Sequence, residues 1–535
     1  MKPKILVCYP NLPLMMSPAI SVALFHAIAK DEGCDFRIFE TTQYSSEYSN
    51  RHIRLSEMGA YRKNSEAEVQ DMFVIKDPDQ IIPDLIKTVE EYQPDIILMP
   101  MQEDVYQIGI EMLESIDHFG IPHVVGGIFP SSAPEVVLGT PVVQRIALHE
   151  GERTVRDIIA ALRAGESLDK IKGTWSKKED GSFRKNPPQP LCDITEVTPD
   201  FTCFQDHRWE RPMGGRIWKR AISMETYRGC PYSCTYCNSP FMRDFPKHHG
   251  LGNFMRRKPA DIIERDLLYY IENHSPDFIM FQDDSFLARP KKEIFEFCEM
   301  WSKYKIPFWF NTRIENCNPE YLEALKEAGV YRISFGLESG NEEYRTKVLK
   351  RPVTNEKYYE YFKYINDSDI PYSLNVILGM PLETREMVMD TVELVRAARG
   401  YDGLTVSKLQ PYYGTGLRDV AVEHGFLDPS HINNSYTHGI IGTWELDMPK
   451  PYLQKHEVEA LLKTFSMYAH FDKDMWPLIK KSETDEKLYK ELAERYQKEF
   501  FYSTQQGGKT RIQTVYGGCA MHDATSTYTF EVCDK

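Results

Sequence analysis

From residue 221 onward the chain repeats one pattern: a short apolar run, a turn, then an amphipathic stretch. The runs fall at 222–226, 277–282, 307–312, 331–337, 372–378 and 404–410. The stretches between them fall at 259–272, 291–303, 319–328, 356–366 and 383–398. Runs this short are strand-length, whereas apolar positions three and four apart mark helices. The pattern predicts an α/β fold in which six strands with helices between them form a barrel or a wide open sheet. In both arrangements functional groups collect at the carboxyl ends of the strands.

The first 160 residues alternate in the same way. Runs at 4–9, 35–40, 95–100 and 123–127 read as strands, and 19–31, 81–92 and 107–119 as helices. A parallel sheet flanked by helices is expected there too. The rhythm then stops. Residues 177–182 read as a hairpin turn, and Asn186-Pro-Pro-Gln-Pro190 as a stiff linker. The expected division is a first domain at 1–165, a linker region at 166–215 and a second α/β domain at 216–430. A mainly helical region at 431–535 follows, with helices at 455–467 and 485–499 before a Gly- and Thr-rich tail. A chain of 535 residues is too long for one core, which agrees with several domains.

Apolar residues make up 42% and charged residues 27%, the balance of a globular protein. No apolar run approaches the roughly 18 residues that cross a bilayer. The formal net charge is −15 without a Lys/Arg block, which argues against nucleic acid as a partner. The basic start and the run ending at Pro10 read as a first strand rather than a signal peptide, so a cytoplasmic protein is expected.

Eleven cysteines are too few for a disulfide scaffold. Eight are scattered: Cys8, Cys34, Cys192, Cys203, Cys298, Cys317, Cys519 and Cys533. The other three, Cys230, Cys234 and Cys237, sit together in Arg228-Gly-Cys-Pro-Tyr-Ser-Cys-Thr-Tyr-Cys237. In a reducing compartment such a group points to metal. Structural zinc wants four ligands, and only His248 and His249 lie near. Ferredoxin-type clusters also take four thiolates. Three thiolates would leave one iron of a cubane open, which is what a catalytic site needs.

The spacing C-x-x-x-C-x-x-C after a strand and an Arg-Gly pair resembles the radical SAM superfamily. That resemblance implies a partial (β/α)6 barrel, a [4Fe–4S] cluster on Cys230, Cys234 and Cys237, and S-adenosyl-L-methionine (SAM) on the open iron. It places Tyr236 against the adenine. The downstream motifs agree in order. Gln282-Asp283-Asp284 resembles the acidic turn at the methionine end of SAM, and Asn311-Thr-Arg313 closes the third strand. Ser334-Phe-Gly-Leu-Glu338 resembles the stretch that meets the ribose and methionine portions. Val376-Ile-Leu378-Gly resembles the segment beside the adenine, and Gln410-Pro-Tyr-Tyr the sixth-strand exit. The resemblance covers about residues 200–430.

An α/β domain ahead of such a barrel is similar to the cobalamin-binding branch, the class B radical SAM methyltransferases, whose first domain is Rossmann-like. Three features carry this likeness: the loop Pro10-Asn11 to Pro18, the segment Gly126-Gly127-Ile-Phe129, and His149-Glu150-Gly151-Glu152. The last is close to a Gly-Glu-Gly-Glu signature. There is no G-x-G-x-x-G after a strand and no Asp-x-His-x-x-Gly. The resemblance leaves the lower cobalt face to a loop residue or water, with Gln102, Glu103, Asp104 and Tyr106 as the candidates. The resemblance implies methyl transfer from methylcobalamin to an unactivated carbon after hydrogen abstraction by a 5′-deoxyadenosyl radical. It implies a peptide or protein side chain, or a small phosphonate or natural-product precursor, as acceptor. A reductase, ferredoxin or flavodoxin would supply electrons. A cobalamin-associated cyclase or oxidoreductase is the alternative. The carboxyl-terminal region, with Trp444, Asp447, His456, Tyr468, Trp476, Lys509, Arg511, Cys519 and His522, is expected to close the substrate cavity.

Overall fold

Both alternating stretches become sheets in the computed structural model of the protein. It describes residues 2–13, 17–45, 76–213, 216–434, 444–496, 499 and 514–516. The first sheet holds β1 (Lys4–Tyr9), β2 (Asp35–Glu40), β3 (Ile96–Pro100), β4 (His123–Gly126), β5 (Arg145–Ala147), β6 (Thr174–Lys177) and β7 (Phe183–Lys185). Their order is β2-β1-β3-β4-β5-β6-β7. The first five run parallel, and β6 and β7 antiparallel. β1 is apolar on both faces because helices cover both: Ile5, Leu6, Val7 and Cys8 are at most 1% exposed. From β1 the chain passes to β2 on one side and β3 on the other. Such a reversal opens a crevice at the carboxyl ends of β1 and β3.

The hairpin of β6 and β7 corrects one boundary. The segment after 165 was expected as linker, yet its hairpin pairs onto β5 through Arg145↔Ser176 and Ile146↔Trp175. The first sheet therefore runs to Lys185, and the hairpin covers what would be an exposed edge of β5. The Pro-rich stretch after it carries no regular structure.

The second sheet holds β8 (Ala221–Met224), β9 (Phe278–Phe281), β10 (Phe308–Thr312), β11 (Val330–Glu338), β12 (Tyr372–Leu378) and β13 (Gly403–Lys408), parallel and in sequence order. This is the strand set of a partial (β/α)6 barrel. One set of alternate side chains, Ile222, Met224, Ile279, Phe281, Phe308 and Phe310, packs with Ile263, Leu267, Phe297 and Trp301 of the helices. Facing the other way, Trp309 donates its indole N–H to Ser334 Oγ (2.8 Å), which meets Ser373 Oγ at 2.7 Å. A seventh strand, β14 (Thr514–Tyr516), pairs in parallel with β13. The sequence pattern did not predict it, because a three-residue strand carries no period to read.

The carboxyl-terminal region is mainly helical, with helices at Lys455–His470 and Glu486–Tyr496. Arg396 of the barrel donates to the carbonyls of Tyr468, Ala469 and Phe471 (3.0, 3.1 and 2.6 Å), which moors the first of these helices. Trp444 lies over the end of β12 and donates to Gly379 O (2.9 Å). Tyr468 and Trp476 are packing residues here: Tyr468 donates to Glu483 and Trp476 Nε1 to Tyr468 O. Asp447 and His456 are exposed. Lys509, Arg511, Cys519, His522 and Cys533 lie outside the described residues. Among the described residues, no helix is long and apolar enough to cross a membrane.

Candidate active site

The three cysteines follow β8 on a loop held from several sides. Gly229, at φ +97°, begins it, and a Cβ there would press against the Phe254 ring at 3.0 Å. Thr235 Oγ1 donates to Val348 O (2.8 Å), and Leu417 N–H donates to Thr235 O (2.8 Å). From the helix Ser239–His248, Arg243 donates to the carbonyls of Pro231 (3.0 Å) and Tyr232 (2.8 Å). Ser239 N–H donates to Cys237 Sγ and the Cys237 thiol donates to Ser239 Oγ (3.4 Å each), while the Ser239 hydroxyl donates to Asp284 (2.9 Å).

Cys230 and Cys234 are buried and Cys237 is partly exposed. Burial pushes the Cys230 and Cys237 thiols up to about 12, so they ionise only with a cation to hold them. Among the described residues, no three His, Cys, Asp or Glu converge on one metal ion. A cubane does not require that, since its thiolates sit on different irons. Three thiols on one anchored loop suit such a cluster better than zinc.

Beyond the loop lies a ring of charged and aromatic groups. Glu338 ends β11 at φ +63°, a strained setting for a residue with a Cβ. It accepts from Tyr236 Oη (3.3 Å) and lies 3.6 Å from Arg351. Burial pushes its carboxyl up to about 7. Arg351 reaches Glu315 (3.2 Å), which also pairs with Arg313. The Arg313 guanidinium stacks 3.9 Å over the Tyr232 ring. Tyr236, Arg313 and Glu338 thus come together. Arg351 and Glu315 join them, though no spacing in the sequence marked either one. Ser334 is buried and bonded within the barrel, Leu378 is fully buried, and Gln410 is half-buried.

One residue departs from its expected place. Asp283 was expected at the methionine end of SAM, but its carboxylate is wholly engaged in the core. It accepts from Thr226 N–H (2.7 Å), Tyr227 N–H (3.0 Å) and Thr226 Oγ1 (2.5 Å), and pairs with Arg289 (2.7 Å). It anchors the start of the cysteine loop. Its neighbour Asp284 faces the cavity.

That cavity, about 510 Å³, lies where the two sheets meet. The carboxyl ends of β1, β3, β4 and β5 supply Pro10, Asn11, Gln102, Glu103, Gly126, Gly127, Phe129, Glu150, Gly151 and Glu152; the barrel adds Tyr227, Arg228, Gly229, Ser239, Gln282 and Asp284. Of the residues expected to meet cobalamin, Tyr106 is not on this wall. The slot is two-sided, sits at the topological switch of the first sheet, and borders the cysteine loop. By position it fits a flat macrocycle.

Of the four residues left for the lower cobalt face, three have other duties. Glu103 accepts from Asn433 N–H (2.9 Å), Asn433 Nδ2 (2.7 Å) and Tyr413 N–H (2.9 Å). Asp104 accepts from Tyr412 Oη (2.6 Å), and Tyr106 Oη meets Thr140 Oγ1. Gln102 is exposed on the cavity wall. The His149 ring stacks on Phe245 and bonds Met242 O (2.9 Å), so it secures the helix after the cysteines.

Residues 224–395, which hold the anchored C-x-x-x-C-x-x-C loop after the first strand of the parallel partial barrel, match the model of the radical SAM superfamily. The two-sheet fold is similar to that of solved cobalamin-dependent radical SAM enzymes. It is similar to the radical SAM methyltransferase TsrM from Kitasatospora setae, solved with cobalamin and a [4Fe–4S] cluster (TM-score 0.60, 14% identity, 95% of this chain and 100% of that one). It is also similar to the cobalamin-dependent S-adenosylmethionine radical enzyme OxsB (TM-score 0.54, 20% identity, 74% of this chain), and spans about half of that protein's length, 52%. In sequence it is 25% identical over 381 residues to an uncharacterised methyltransferase of Pyrococcus horikoshii (69% of this chain, 78% of that one). It is 22% identical over 408 residues to the cytidylyl-2-hydroxyethylphosphonate methyltransferase of Streptomyces wedmorensis (68% and 74%). An anaerobic magnesium-protoporphyrin IX monomethyl ester cyclase of Rubrivivax gelatinosus matches over 283 residues at 24% (51% and 48%).

Proposed function

We propose that the protein is a cobalamin-dependent radical SAM methyltransferase that methylates an unactivated carbon of a small molecule or a peptide side chain. The observation that carries this reading is the shared cavity, whose walls are the carboxyl edge of the first sheet and the cysteine loop of the barrel. Cys230, Cys234 and Cys237 would hold the cluster; Gly126, Gly127, Phe129 and the Glu150–Glu152 turn would hold the corrinoid. When bound, the cluster supplies the electron that splits SAM, and the corrinoid carries the methyl group.

The chain's own residues orient and enclose. Tyr236, Arg313 and Glu338 would grip SAM beside the cysteines. Glu338 and its arginines form a polar wall able to take hydroxyls and an amine. Tyr412, Tyr413 and Phe129 close the slot against water, with the Phe129 and Tyr413 rings 5.7 Å apart. Excluding water protects a radical, and fixed positions replace the entropy cost of collision.

Relatives named for methyl transfer and for ring closure share this barrel, so the test must separate the two chemistries. Protein purified anaerobically with hydroxocobalamin is expected to retain corrinoid and to cleave SAM to 5′-deoxyadenosine under reduction. With substrate, methylation also yields S-adenosylhomocysteine, whereas ring closure does not. Replacing Cys230, Cys234 and Cys237 together with Ala should remove the brown absorbance and all 5′-deoxyadenosine. SAM cleavage by that triple variant, or a wild type that holds no corrinoid, would overturn the reading.

A further inference from the structure

The excursion that bears the three cysteines leaves the barrel at Arg228 and returns at Arg256. Those two residues face each other in a two-residue antiparallel ribbon, Arg228↔Arg256 and Tyr227↔Arg257. Like charges directly opposite one another push a ribbon open. Here a carboxylate from the first domain lies between them. Glu150 accepts from Arg228 Nη1 (2.8 Å) and from Arg256 through both oxygens, one at 3.1 Å, and its other contact is Cys192 N–H (2.9 Å). Glu152, two residues on, accepts from Arg228 at 2.7 Å, and Glu225 closes the other side of the same guanidinium (2.9 and 2.8 Å). The group is nearly dry: Glu150, Glu152, Arg228 and Arg256 are 7, 13, 14 and 18% exposed. Although burial pushes the Glu150 carboxyl up, Arg256 and Arg228 outweigh it and hold it at about 2, so it stays charged.

Arg228 keeps Glu152 and Glu225 as further partners, but the ion pair given for Arg256 is to Glu150 alone, so the link between the two arginines exists only while both domains are docked. The same turn, Glu150-Gly151-Glu152, also lines the cavity. We propose that Glu150 is a positioning residue of the cluster loop, joining Arg228 to Arg256 so that order in the cysteine excursion and occupancy of the cavity favour each other. The inference rests on the reading that the cavity holds a corrinoid. Coupling of this kind is reciprocal: cluster-loaded protein binds corrinoid tighter than cluster-free protein, by the same factor as the reverse.

The test uses the full chain, with hydroxocobalamin as probe. Its affinity is measured by absorbance for cluster-reconstituted and cluster-free protein, and the reduced cluster is followed by electron paramagnetic resonance. Wild type should show a ratio of affinities of about fivefold or more. Glu150→Gln should bring that ratio towards one and broaden the cluster signal. Adding Arg256→Gln to Glu150→Gln removes the repulsion that the glutamate offsets, so this double variant should regain a narrow signal and part of the ratio. It also guards against a Glu150→Gln protein that does not fold. A ratio of one in wild type, an unchanged ratio in Glu150→Gln, or no recovery in the double variant would each overturn the proposal. A wild type that binds no hydroxocobalamin in either state would instead overturn the corrinoid reading itself.

Discussion

Asp283 and Asp284 are adjacent acids in one turn and do opposite things. Asp283 points into the core, where its partner Arg289 is 2% exposed; Asp284 points into the cavity. Removing the first strands a buried cation and two N–H donors, so Asp283→Ala is expected to cost about 3–5 kcal/mol. Denaturant melts should show that loss, whereas Asp284→Ala should melt near wild type. A second prediction concerns the lower cobalt face. Glu103 and Asp104 also line the cavity but, like Tyr106, are bonded elsewhere, which leaves the exposed Gln102. Gln102→Leu should therefore shift the visible bands of bound hydroxocobalamin, and Tyr106→Phe should leave them in place. Residue types and motif order were legible in the sequence. The facing of adjacent acids was not, because turn geometry decides it and a turn has no period.

At the scale of elements, the strands and most helices appear where the apolar periods put them. The helix predicted at 319–328 is Pro319–Ala328, and Asn318 caps it by accepting from Tyr321 N–H (3.0 Å). Among the helices that went unread are Glu152–Ala164, Ser239–His248 and Gly416–Glu423. The second is only half-buried and carries Pro246, so its apolar stripe is broken. Gly127 marks the junction of β4 with the cavity loop. Its φ is +114°, and a Cβ there would lie 2.6 Å from Met101 O. Gly127→Ala is expected to cost about 1–3 kcal/mol through backbone strain. It should also lower corrinoid retention, measured by absorbance after gel filtration. Gly120→Ala, with open space around the glycine, should leave retention unchanged.

For the whole molecule, the relevant contact is the clasp between domains. Glu103 of the first domain holds Tyr413 and Asn433 beyond the barrel, some 300 residues away (sequence separations of 310 and 330). Burial pushes its carboxyl up to about 7 from an ordinary 4.5, although the N–H groups of Asn433 and Tyr413 and the charge of Arg418 oppose the shift. A raised carboxyl contributes stability that is fully present below about 4.5 and is lost as pH rises through about 7. The stability of wild type relative to Glu103→Gln should therefore fall across that window, by up to about 3 kcal/mol. Paired thermal melts at stepped pH check this, and a flat difference would show that Glu103 titrates as an ordinary carboxylate.

By itself, the sequence determined the local elements and the metal chemistry. Apolar period sets strand or helix within a few residues, and three cysteines on one loop need no distant partner to announce a cluster. The tertiary structure decided what lies far apart in the chain. It brought Glu150 between Arg228 and Arg256, Arg351 beside Glu338, and Glu103 against Asn433. It also carried the β6–β7 hairpin onto the first sheet. These pairings rest on burial and charge neutralisation between surfaces that meet only after each domain has folded, and neither leaves a repeat in the sequence.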